Sequence, residues 1–131
     1  MAKITDKVKS FEDACNVLNI LPSLPDLAAI PEEMRKPLIA MYKLMIIAKA
    51  LNEGWIPNWT NGKWDKWFPW FDFNTDNEVS SSSSGRFSFY YSDNQRSASD
   101  CGSRLCYKSE VLADYAGKQF EELYREAYVI D

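Results

Sequence analysis

Residues 55–73 read WIPNWTNGKWDKWFPWFDF and hold all five tryptophans of the chain, with three phenylalanines among them. The fold turns on whether this run is a core strand or a ligand platform. As a strand it alternates, placing Phe68 and Trp70 on one side and Trp67, Phe71 and Phe73 on the other, so both faces are aromatic. If one face packs on helices, the other stays half exposed. As a platform, Trp64, Trp67 or Trp70 stack on bases or sugars while Lys63 and Lys66 lie near phosphates. Pro69 has no amide to donate, which places the strand at an edge or gives it a bulge.

Two further aromatic runs follow, GRFSFYY (85–91) and SRLCYK (103–108), and with WFPWFDF (67–73) they read as three antiparallel strands. The segments between them, rich in serine, asparagine and aspartate, predict mobile loops near 74–85 and 92–102. Helices flank this middle section. Ser10 and Asp13 form a capping-box-like start to a short helix over about 11–19. LPSLPDLAAIP (21–31) predicts an extended connector. From Pro31, the positions Met34, Leu38, Met41, Met45, Ala48 and Leu51 repeat at helical spacing up to Gly54, and Pro37 should bend or restart this helix. Ser109 then caps a last helix with Leu112, Tyr115, Ala116, Phe120, Leu123, Ala127 and Ile130 inside. Its outer charges, Asp114 with Lys118, Lys118 with Glu122 and Glu121 with Arg125, stand four residues apart and need only solvent. Gly117 in its middle predicts close approach of another element.

The expected fold is therefore α+β in the order α-α-β-β-β-α: a small three-stranded antiparallel sheet packed on a long central helix and a C-terminal helix, as one domain over residues 1–131. Phe87, Phe89, Leu105 and Tyr107 should form its inner face, against Leu112, Phe120 and Leu123.

Charge is unevenly spread. Residues 1–54 carry seven basic and seven acidic side chains, residues 55–108 six of each, and residues 109–131 two basic against six acidic, so the whole net charge of −4 lies in the last segment. No segment has the basic excess of a duplex-binding domain. Histidine is absent, which removes serine–histidine triads, cysteine–histidine pairs and histidine metal sites. Asp65 and Asp72 beside the tryptophans are the carboxylates that could serve as a general acid, although acidic residues at strand ends are usually only solvated. No phosphate-binding loop is present, and neither cofactor nor metal is expected. Three cysteines, Cys15, Cys101 and Cys106, without a CxxC pair, suit free thiols in a reducing compartment. No apolar run matches a signal peptide or a membrane span, so the expected location is the cytoplasm.

The segments KALNEGWIPNW (49–59), KWFPWFDF (66–73) and SRLCYKSEVLADYAGKQFEELYREAYVI (103–130) resemble small uncharacterised proteins encoded by phages and prophages of gut Bacteroidetes. The resemblance implies a bacterial host cytoplasm and an accessory role in a mobile element, and assigns no catalytic residue. Together with the missing catalytic groups, it makes a non-enzymatic role through a protein partner the first expectation. The alternative is single-stranded nucleic-acid binding by an aromatic and basic sheet face. Its candidate ligand-binding residues are Trp64, Lys66, Trp67, Trp70, Arg86, Tyr90, Arg104 and Lys108. That alternative has a direct test: a single-stranded oligonucleotide at about 50 mM salt should quench tryptophan fluorescence, and Tyr90→Ala should weaken binding by about 1–3 kcal/mol, whereas no quenching rejects it.

Overall fold

The computed structural model describes residues 3–55, 66–73, 87–95 and 105–129. Among these residues the elements run α1 (Ile4–Lys7), α2 (Phe11–Leu18), α3 (Glu32–Leu51), β1 (Lys66–Phe73), β2 (Phe87–Gln95), α4 (Glu110–Gln119) and α5 (Glu121–Tyr128). More than half of the described residues are helical, and the expected three-stranded α+β arrangement does not form. β1 and β2 make a two-stranded antiparallel ribbon. The expected third strand shrinks to a single bridge, in which Trp67 and Tyr107 exchange backbone hydrogen bonds of 2.9 and 2.7 Å.

The reason lies on either side of Tyr107. On the edge of Tyr107 that faces away from Trp67, the Asn52 side chain donates to the Cys106 carbonyl at 2.8 Å and accepts from the Lys108 amide at 2.9 Å, so it takes the place of any further strand there. Two residues later Ser109 turns the chain into α4, its Oγ accepting from the Leu112 amide at 3.2 Å. Pairing at Tyr107 therefore has no room to extend toward α4.

The ribbon runs from Lys66 opposite Gln95 to Phe73 opposite Phe87. Its single irregularity falls between Trp70 and Phe71, where Tyr90 on β2 has no opposite number, just after Pro69. β2 continues to Gln95, so residues 92–95, expected in a loop, are paired strand. The remainder of both expected loops, Cys101 and the strand start at Ser103 lie outside the described residues.

The helices form largely where their signals stand. Ser10 caps α2 by accepting from the Asp13 amide at 3.1 Å, while the Asp13 carboxylate takes the Lys9 amide at 3.0 Å. α3 runs through Pro37 without interruption. The donor that Pro37 lacks would have served the carbonyl of Glu33, an exposed residue that water can reach. The C-terminal helix, expected as one, breaks at Phe120, whose backbone (φ −113°, ψ 27°) is not helical. The break serves packing: α4 lies against the ribbon and α5 against α3, directions that one straight helix does not satisfy.

The core joins Leu44, Ile47, Ala48 and Leu51 of α3 to Phe11, Ala14 and Cys15 of α2, Leu112 and Ala116 of α4, Phe120, and Tyr124 of α5. Phe71, Leu105 and Tyr107 close it from the ribbon side, with the Phe71 and Tyr124 rings 4.7 Å apart and the Tyr107 and Tyr124 hydroxyls bonded at 2.9 Å. Of the proposed inner face, Leu105 and Tyr107 are buried and Phe89 is partly so, while the Phe87 side chain lies outside the described set.

Gly117 is buried under the ribbon. A Cβ placed there would overlap the Phe89 ring, at 2.6 Å from Cε1, and stand 2.8 Å from the Pro69 Cβ. Gly117→Ala gains about 1 kcal/mol of helix propensity and loses about 1–3 kcal/mol to overpacking. Urea unfolding should show net destabilisation; stabilisation would mean that the ribbon does not rest on α4.

Candidate protein-docking surface

Of the eight candidate ligand-binding residues, Trp64, Arg86 and Arg104 lie outside the described residues. Lys66, Trp70 and Tyr90 are placed as backbone in the ribbon, with side chains outside the described set. The other two diverge. Trp67 is partly buried and packs on the core, whereas Lys108 is exposed and pairs with Glu53 at 3.2 Å. Asp65 is not described, and Asp72 is placed only as ribbon backbone.

The charges of α4 and α5, expected to need only solvent, instead fasten the ribbon. The Ser92 hydroxyl donates to Asp114 at 2.6 Å, and the Phe89 amide donates to the Glu121 carboxylate at 2.7 Å. Lys118 Nζ stands 5.6 Å from the centre of the Phe89 ring. Arg125 is buried and pairs with Glu122 at 3.3 Å, one residue nearer than the expected partner Glu121. Cross-element bonds win because each carboxylate meets a donor that the ribbon would otherwise leave unmet.

Buried groups elsewhere are quiet. Burial, with Glu12 adding to it, pushes the Cys15 thiol above its ordinary value, so it stays protonated near neutral pH and is a poor nucleophile. The Tyr115 phenol is likewise raised, by burial first and then by Asp13 and Asp6, and donates to the Val8 carbonyl at 2.7 Å. Among the described residues no three metal-ligating side chains gather, and no helix is long and apolar enough to cross a membrane.

Among the described residues, one end of α3 is left uncovered. All six buried residues of this helix lie from Ala40 onward. Along the row Met34, Leu38, Met41, Met45 and Ala48, exposure falls: Met34 is 51% exposed, Leu38 45%, Met41 and Met45 are partly buried, and Ala48 is 1%. The stripe therefore outruns the cover that α2 and α5 provide. The connector before α3 also carries exposed apolar side chains, Leu21 at 80% and Leu24. Six of the eight exposed large apolar side chains among the described residues lie between residues 17 and 38 of the sequence.

The connector is fixed rather than loose where it meets the helix. Arg35 donates to the carbonyls of Ile30 at 2.7 Å and Ala28 at 3.2 Å, and Asp26 accepts from the Ala28 amide at 3.0 Å. The end of α3 is thus held rigid while its apolar row faces solvent. The sequence reads this row as one inner stripe, because spacing alone does not separate covered from uncovered turns. The available signal was Arg35, Lys36 and Pro37 inside its first turns, an unusual trio for a helix buried from its start.

Comparisons with protein-family models, curated proteins and solved structures find no match to this chain. The surface must therefore be read from its own chemistry. If the Met34–Leu38 end serves no structural purpose, replacing both residues by lysine should change stability by no more than about 0.5 kcal/mol. Leu44→Ala on the covered part should cost about 2–5 kcal/mol. Thermal unfolding of both variants checks this, and a large loss from the double lysine variant would place the row in the core.

Proposed function

We propose that this chain is a non-enzymatic interaction protein that docks a protein partner through the uncovered end of α3, as an accessory component of a phage or other mobile element in the cytoplasm of a bacterial host. The observation that carries this reading is the exposed row at Met34 and Leu38, continuous with the core stripe and rigidly held by Arg35. An apolar row of this kind costs solubility and contributes nothing to the chain's own packing, which is what a binding face does in the unbound state. Methionine suits the role, since its unbranched thioether adapts to partner surfaces. The absence of histidine supports the non-enzymatic part of the reading. The resemblance carried by KWFPWFDF and the segment from SRLCYK onward supports the mobile-element setting.

The test is site-specific photocrosslinking in host cells. A photoreactive residue at position 38 should give a discrete protein adduct, one at the exposed position Lys36 should give markedly less, and a Met34→Lys change should abolish the adduct at position 38. Equal labelling from both positions, or an adduct indifferent to Met34→Lys, would refute docking at this face.

A further inference from the structure

Residues 20–27 read ILPSLPDL and join α2 to α3 without helix, strand or turn. Leucine and proline recur there every third residue, Leu21 with Leu24 and Pro22 with Pro25. Proline fixes its own φ and keeps the residue before it out of the helical region, so four of the five residues from Leu21 to Pro25 are confined to extended or polyproline II backbone. At three residues per turn, each pair stands on one edge, about 9 Å apart. The segment is a ridge with one edge of leucine and one of proline.

Every residue from Leu21 to Asp26 is exposed, yet both ends of the segment are fixed. Before it, Asn19 takes a left-handed turn and the Ile20 amide donates to the Cys15 carbonyl at 3.0 Å. After it, the Asp26 carboxylate accepts from the Ala28 amide, and Arg35 holds the Ala28 and Ile30 carbonyls. The ridge is thus displayed already extended, which spares a partner the ordering cost of binding it.

The backbone then selects the occupant. Among the described residues, no hydrogen bond engages the backbone of residues 21–25, which offers five carbonyls but only three amides because the prolines have none. Pro22 and Pro25 stand an odd number of residues apart, so along a strand their missing amides fall on opposite edges. Neither edge can then pair without a gap, and addition to a sheet is disfavoured. No lysine or arginine occurs from Ser10 to Met34, so the ridge brings no cation to an acidic pocket. A groove of aromatic rings meets both conditions, since indole N–H and phenol O–H groups donate to free carbonyls while the ring faces take leucine and proline. Going beyond the α3 end, we infer that residues 21–25 are a second docking element, a polyproline II ligand for a partner protein whose groove is lined by tryptophan and tyrosine.

The test places a photoreactive residue at position 21 of the full chain in host-cell lysate. It should give one discrete adduct, with the crosslinked site on the partner beside tryptophan or tyrosine. Excess of a synthetic peptide of sequence ILPSLPDL should suppress the adduct, whereas a peptide of the same composition with its two prolines side by side should not. The double change Pro22→Ala and Pro25→Ala should lower the yield by about tenfold, because it releases the extended backbone and empties the proline edge. Leu24→Glu, at an exposed position that leaves folding intact, should abolish the adduct, and Met34→Lys should leave it unchanged. No discrete adduct, equal competition by both peptides, or a yield indifferent to the prolines or to Leu24→Glu overturns the inference. So does a crosslinked site remote from aromatic side chains, an adduct to a second copy of this chain, or loss of the adduct in Met34→Lys, which would merge the segment with the α3 face. None of these results bears on the adduct at position 38, so the α3 docking role is judged separately.

Discussion

The Asn52 side chain holds three parts of the structure together. It stands just past the end of α3, 5% exposed, with its amide nitrogen on the Cys106 carbonyl and its oxygen on the Lys108 amide. Those two groups flank Tyr107, so one planar amide does for this segment what a neighbouring strand would do. With both sides fixed, the Tyr107 ring is set into the core against the Tyr124 hydroxyl, and its backbone pairs with Trp67. Ser109, immediately beyond, starts α4 in a direction already determined. Loss of either bond strands a polar backbone group at the edge of the core, so the amide cannot be exchanged for an apolar or purely accepting side chain without cost.

A second constraint follows from the first. A two-stranded ribbon is barely stable alone in water, and the single bridge at Tyr107 adds little to it. The ribbon therefore depends on α4 and α5. Gly117 lets the ribbon approach α4 closely, Pro69 and Phe89 fill the space where a side chain would stand, and Asp114 and Glu121 hold Ser92 and the Phe89 amide. The helix break at Phe120 belongs to the same arrangement. It lets Glu121 begin a new helix beside Phe89 while Tyr124 reaches the core against α3.

These particulars show where the sequence was legible. The caps at Ser10 and Ser109, the reach of α3 from Pro31 to Leu51, the β1 and β2 runs and the close approach at Gly117 all rest on local chemistry, and local chemistry is what residue spacing records. SRLCYK has strand-like residues, but α4 begins at Ser109 and the outer edge of the segment goes to Asn52, more than fifty positions earlier. The break at Phe120 was hidden for a similar reason, since Ala116, Phe120, Leu123 and Ala127 keep helical spacing whether they stand on one helix or two. The acidic residues of α4 and α5 spaced as solvated pairs equally suit cross-element bonds. In each case a distant partner outcompeted the near one.

The candidate surface shows the same limit from the other side. Met34 and Ala48 occupy one row of one helix, and no property of either residue states that α2 and α5 reach the second but not the first. Coverage is a fact about the length of the surrounding elements: α2 has eight residues and α5 has eight, against twenty in α3. At about 1.5 Å per residue, α3 is more than twice as long as either neighbour, so packing that begins at Leu51 runs out before Met34 is reached. A helix so much longer than its cover either ends in polar residues or offers its apolar end to something else. α3 keeps methionine and leucine on that row, so its uncovered end stays apolar where its cover stops.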